Sequence, residues 1–171
     1  MDDLRKALFE NRRSVRSFES RQISSTDLHD ICTAAQLAAS EMNEQAWFFV
    51  IIQKEEVLQE IAVLATGIEE APFYNAPTLV VAFAKDDAIA PVEDCVLAMS
   101  NMMYAAVLND LGTCWIHATK DVFNNPKYAA LKNACGVPEG YTCIGSLAIG
   151  YPKGPLSEPK SRKQNVFSVI R

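Results

Sequence analysis

Two apolar runs constrain this chain most: Trp47-Phe48-Phe49-Val50-Ile51-Ile52 and Thr78-Leu79-Val80-Val81-Ala82-Phe83-Ala84. Aromatic and β-branched residues without polar alternation suit strands buried on both faces. Two shorter segments, Thr113 to Ile116 and Thr142 to Ile149, read as further strands. The sequence between them is helical in pattern, so the expected architecture is α/β, with helices on both sides of a central sheet.

The helices announce their ends. Asp3 to Glu10 has Leu4, Ala7 and Leu8 on one face. Ser24 or Ser25 can cap a second helix, with Asp27 in its first turn and an apolar stripe of Leu28, Ile31, Cys32, Ala35 and Ala38. Glu55 to Leu64 has helical composition, and Pro91 opens a long helix from about Val92 to Leu111, which Gly112 is expected to end. Asn125-Pro126 starts another helix and Gly136 lies just past its end. No repeat, low-complexity tract or long linker divides the chain, so residues 1–171 are expected to form one domain. The tail from Tyr151 to Arg171 carries Pro152, Pro155 and Pro159, then ends on Val166, Phe167, Val169 and Ile170. An ending of that kind calls for a surface to cover.

Composition bounds the function classes. The chain is 49% hydrophobic and 22% charged, a balance that supports a packed core and a solvated surface. No apolar run is long enough to cross a bilayer, and Met1 to Arg13 lacks the apolar stretch of a secretory leader, so the expected location is the cytoplasm. Sixteen Lys and Arg stand against 21 Asp and Glu, a net charge of −5 that argues against a general nucleic-acid or membrane-surface binder. Five cysteines include no C-x-x-C pair, and there are only two histidines. Buried free thiols in a reducing compartment are expected, with no metal site.

In so acidic a chain, Arg12-Arg13-Ser14-Val15-Arg16 needs its own explanation. Guanidinium forks and a hydroxyl match phosphate oxygens, and an extended backbone points residues 12, 14 and 16 one way and residue 13 the other. The competing reading is an exposed helix end whose arginines pair with acids such as Glu10 and Glu19. A second segment, Ala38 to Trp47, is polar in the middle, and Ser40, Asn43 and Gln45 offer donors and acceptors to a planar ring. They can equally satisfy backbone groups of their own loop.

Five segments, in order, resemble the FMN-dependent nitroreductase family almost end to end. They are Arg12-Arg13-Ser14-Val15-Arg16-Ser17-Phe18; Ser40-x-x-Asn43-x-Gln45-x-Trp47; Asp94-x-x-x-Ala98-x-x-Asn101-Met102-Met103 leading into Leu111-Gly112-Thr113-Cys114-Trp115-Ile116; Gly136-Val137-Pro138-Glu139-Gly140-Tyr141 with Ile149-Gly150-Tyr151-Pro152; and Lys160-Ser161-Arg162. The resemblance implies an α+β fold with a central mixed sheet, and a homodimer in which the C-terminal extension wraps the partner.

For the site, the resemblance implies that Arg12, Ser14, Lys160 and Arg162 hold the phosphate and ribityl end of FMN, and Arg13 is a further candidate for cofactor binding. It sets Arg16 at the pyrimidine edge of the ring. Ser40 and Asn43 reach the flavin held mainly by the other subunit, and Trp115, Ile116, His117 and Ala118 lie beside the ring. The implied activity is a ping-pong reduction of a small acceptor, such as a nitroaromatic or quinone, driven by NADH or NADPH. Other flavin chemistry (dehalogenation, dehydrogenation, flavin breakdown) or a flavin store or sensor are the alternatives. No catalytic side chain is required, although His117 is a candidate proton donor or merely a strand cap.

The chain departs from the family pattern at several places. Ala39 and Ala46 stand where prolines are usual, which makes the loop less rigid. Glu41 and Glu44 add negative charge, and the short length is expected to remove helices that shape the acceptor pocket in longer members.

Overall fold

The computed structural model describes residues 2–67 and 72–171. Helix α1 (Asp2–Arg5) continues into a wider turn, Lys6–Glu10. Helix α2 (Ser25–Gln36) starts where the Ser24 hydroxyl accepts the Asp27 N–H at 3.0 Å, so Ser24 is the cap. Strand β1 (Trp47–Ile52) leads to α3 (Glu55–Thr66), and β2 (Thr78–Lys85) to the long helix α4 (Pro91–Leu108) with proline in its first turn. Strand β3 (Gly112–Ile116), short helices α5 (Thr119–Phe123) and α6 (Ala129–Ala134), and strand β4 (Tyr141–Gly150) complete the order.

The four strands form one sheet in the order β1-β2-β4-β3, and every pairing is antiparallel. The parallel component of the expected mixed sheet is a single bridge, from Ser14 to Thr113 of β3. One face of the sheet packs Ile31, Val80, Met99, Met102 and Leu147 beneath α2 and α4. The other packs Leu58, Ile61, Phe83 and Phe123 beneath α3 and α5. Residues β2 and β4 in the middle are buried almost throughout, as their apolar runs require. The expectation that β1 is buried on both faces is corrected: it lies at the sheet edge, Trp47, Phe48 and Phe49 are half-buried, and Ile51 is exposed. Hydrophobicity alone does not distinguish an edge strand awaiting cover from a central one.

The other correction concerns Gly112. Helix α4 ends at Leu108, where the Asn109 side chain donates to the Ala105 carbonyl at 3.0 Å and Asp110 takes the left-handed turn at φ +56°. Gly112 instead opens β3, and its missing side chain has a packing reason. A Cβ there would stand 2.5 Å from Cγ2 of Val15. Gly112→Ala is therefore expected to cost about 1–3 kcal/mol through overpacking. Val15→Ala in the same chain should restore most of that loss. Thermal melts of both singles and the double variant read the coupling; additive losses would contradict the contact.

Candidate functional site

The basic cluster runs as an extra strand along the outer edge of β3. The Val15 N–H donates to the Thr113 carbonyl at 2.9 Å, and the Val15 side chain turns into the core while Ser14 and Arg16 face solvent. That is the alternation an extended chain imposes. The same segment also meets the start of the tail. Lys153 N–H donates to the Ser17 carbonyl at 3.0 Å, Glu19 N–H to the Tyr151 carbonyl at 2.9 Å, and Phe18 bridges Pro152. Chain ends far apart in sequence thus lie side by side, around a cavity of about 290 Å³ lined by residues 13–17 and 152–157.

The three arginines of the cluster do different things. Arg13 donates from Nε to the Ser157 carbonyl at 3.1 Å and from Nη1 to the carbonyls of Glu10 and Arg12, so it clasps the tail to the cluster. Arg12 and Arg16 have no ion-pair or hydrogen-bond partner for their guanidinium groups among the described residues. The acids offered as alternative partners are used elsewhere: Glu10 pairs with Arg5 at 3.2 Å and Glu19 with Arg21 at 3.6 Å. Arg16 lies close enough to Cys114 for its charge to oppose the upward push that burial gives that thiol. Lys160 and Arg162 follow Ser157 on the tail, where both are exposed, and no hydrogen bond or ion pair of their side chains is found among the described residues.

Further along the same strand, Trp115 and Ile116 finish β3, and Ala118 caps α5. Trp115 lies flat over Gly145, where a Cβ would come within 2.5 Å of its ring. Gly145 sits at the irregularity in the β2–β4 register, which explains why no side chain is tolerated there. The Ile116 carbonyl accepts the Thr119 hydroxyl at 3.2 Å, which fixes the turn. His117 is exposed; its carbonyl accepts the Lys120 N–H, and no partner for its ring is found among the described residues.

The Ser40 loop is a short helical turn, Glu41–Asn43, with Met42, Asn43 and Gln45 all at positive φ. Ser40 Oγ accepts the Gln45 N–H at 3.1 Å, and Asn43 Oδ1 accepts Gln45 Nε2 at 3.3 Å. Glu44 is exposed and keeps its charge, and its Oε2 also accepts the Ile89 N–H at 2.9 Å, so it is fixed in place. Sequence reasoning assigned no role to Asp94, whose Oδ1 accepts the Glu41 N–H at 2.9 Å. The signal was an acid in the first turn of a proline-initiated helix, which is ordinarily a dipole effect.

This loop rests on the N-terminal end of α4, while Arg13 shares a cavity with Val107 at its other end. At 1.5 Å rise per residue, the stretch from Asp94 to Val107 separates them by about 20 Å. One chain therefore holds its Ser40 loop and its arginine cluster at opposite ends of one helix.

Burial pushes all five thiols upward. Burial pushes both Cys95 and Cys143 up to about 12, so neither is a thiolate at neutral pH. No group of three or more metal-ligating side chains is found among the described residues, and no helix there is long and apolar enough to cross a membrane.

The sequence model of the nitroreductase family matches residues 9–151. The chain belongs to the nitroreductase family. A provisionally named NADH dehydrogenase/NAD(P)H nitroreductase of Archaeoglobus fulgidus is 31% identical over 156 residues, covering 90% of this chain and 87% of the relative. The crystal structure of a nitroreductase with bound FMN from Bacteroides fragilis superposes with a TM-score of 0.89 at 26% identity, covering 100% of both chains. A BluB-like flavoprotein from Clostridium difficile shares the fold at a TM-score of 0.80 and 22% identity, covering 98% of this chain and 99% of its own. Lys160 and Arg162 of this nitroreductase-family chain lie beyond the matched span 9–151, although the Bacteroides superposition extends over them.

Proposed function

We propose that this chain is a cytoplasmic, homodimeric FMN-dependent oxidoreductase that uses NADH or NADPH to reduce a small acceptor such as a nitroaromatic or quinone. The observation that carries this reading is the state of the cations. Among the described residues Arg12 and Arg16 have no acidic partner, and the nearby Glu10 and Glu19 are taken by Arg5 and Arg21. Unpaired guanidinium groups beside an exposed Ser14 fit a phosphate-bearing ligand. Family membership, and the FMN held by the Bacteroides relative of equal span, make FMN the natural candidate.

In this reading Arg12 and Ser14 take the phosphate, with Lys160 and Arg162 closing on it from the tail. Arg13 keeps the two chain segments together through its carbonyl contacts. Bound FMN would supply hydride transfer between the nicotinamide and the acceptor. Arg16 places positive charge beside the ring and favours its reduced, anionic form. Trp115 to Ala118 line the ring, with exposed His117 a candidate proton source.

Two observations support a second subunit. Val166, Phe167, Val169 and Ile170 are 53–97% exposed on the tail, and the edge strand β1 is only half covered. The separation of about 20 Å between the Ser40 loop and the arginine cluster supports a loop that serves the partner's flavin. The five free thiols suit a reducing cytoplasm, and the continuous two-faced sheet suits one domain over 1–171.

The activity is tested by adding NADH or NADPH to FMN-loaded protein without oxygen, then adding acceptors in turn. Bleaching by a nicotinamide, followed by recovery of colour with a quinone or nitroaromatic, is expected. Flavin that neither nicotinamide bleaches would contradict the reductase assignment and leave other flavin chemistry, or a store or sensor, as the reading.

A further inference from the structure

Asp94 is 2% exposed, and its two oxygens differ in their surroundings. Oδ1 accepts the Glu41 N–H at 2.9 Å, whereas Oδ2 is buried and has no hydrogen-bond partner among the described residues. A half-satisfied buried carboxylate weighs against folding. Its neighbour Glu93, in the same first turn, stays exposed and answers the helix dipole without that penalty.

What Oδ1 holds is unusual. Met42, Asn43 and Gln45 sit at φ +50°, +59° and +50°, a conformation ordinarily left to glycine. Side-chain bonds from Ser40 to Gln45 N–H and from Gln45 to Asn43 are internal to the loop. Among the described residues, the side-chain tethers that join the loop to the rest of the molecule are both carboxylates: Asp94 at the front and Glu44, which accepts from Ile89, at the back. Neither Ala39 nor Ala46 stiffens the backbone as proline would.

We propose that Asp94 is a positioning residue, which holds the Ser40–Gln45 loop in its ligand-ready conformation at the expense of fold stability. This rests on the reading that the loop completes a flavin pocket. Loss of the carboxylate frees the Glu41 N–H to bind water, because Glu41 is exposed, and relieves the buried oxygen.

The test uses the wild type, Asp94→Ala and Asp94→Asn. Each is measured for amide exchange and melting of the flavin-free protein, and for FMN affinity. In Asp94→Ala, exchange of the amides of residues 41–45 should rise about tenfold while β2 and β4 stay protected, and FMN should bind about tenfold more weakly. The melting temperature should hold or rise. Asp94→Asn keeps an acceptor oxygen and should retain more of the loop's protection and of the affinity.

Three results would overturn the proposal: unchanged exchange at 41–45, protection lost throughout both variants together with a lower melting temperature, or a freed loop with unaltered FMN affinity. Should the wild type fail to bind FMN while Asp94→Ala still frees only the loop, the tether stands and the flavin assignment alone falls.

Discussion

Removing the guanidinium groups of Arg12 and Arg162 together is expected to weaken FMN binding by two to four orders of magnitude. A hydrogen bond to a charged group contributes about 1.5–3 kcal/mol, so two such contacts, one from each end of the chain, contribute about 3–6 kcal/mol when they act independently. Each single Ala variant should lose roughly ten- to a hundredfold on the same scale. Stability of the flavin-free protein should move by less than about 0.5 kcal/mol, because neither guanidinium has a partner among the described residues.

Lysine at either position keeps the charge and loses the fork, so its loss should be intermediate. Arg16→Ala should behave differently, with a smaller change in affinity and a more negative flavin potential, since its charge is assigned to the ring. Fluorescence titration with FMN and potentiometry separate these outcomes. Equal affinities for wild type and the double variant would contradict the composite phosphate grip.

The second large effect concerns the fold. Phe83→Ala is expected to destabilise the chain by about 3–5 kcal/mol, a large share of the 5–15 kcal/mol typical of a domain. Phe83 is fully buried in β2, meets Phe123 of α5 edge-to-face at 5.3 Å between centroids, and has the Lys132 ammonium 5.7 Å from its ring. Its carbonyl accepts the Cys95 thiol at 3.3 Å, on the opposite side of the sheet. Few neighbours can collapse into the space, because β2 is pinned between β1 and β4 along its whole length. Phe83→Leu, closer in volume, should lose markedly less. Urea unfolding monitors both. A loss below about 1 kcal/mol for the alanine variant would show that the core repacks in a way this geometry does not allow.

Most of the architecture is legible in the sequence because its signals are local. The runs at 47–52 and 78–84 become strands, Ser24 caps α2, and Pro91 opens α4, each for reasons contained within a few residues. The departures are all non-local. Gly112 reads as a helix stop until Val15, 97 positions earlier in the chain, is seen against it. The run at β1 carries no mark that it lies at an edge, since edge and centre differ in neighbours and not in composition.

The candidate site divides the same way. Arg12, Ser14 and Arg16 stand out as a basic cluster in an acidic chain, and neither guanidinium group has a partner among the described residues. Arg13 looks identical in sequence, yet it turns to the carbonyl of Ser157, a partner 144 residues away. In the sequence Glu44 is only a negative charge in the loop and Asp94 only a member of a family segment, and their work as tethers depends on how the loop folds over α4. Spacing cannot reveal a contact that only the fold creates.

The central claim, that this chain holds FMN, is tested most directly by mixing the purified protein with excess FMN, passing it through a desalting column and recording the visible spectrum of the protein fraction. The account predicts a yellow protein fraction carrying about one flavin per chain, with its bands shifted from those of free FMN. A colourless protein, with all the flavin eluting separately, would contradict it.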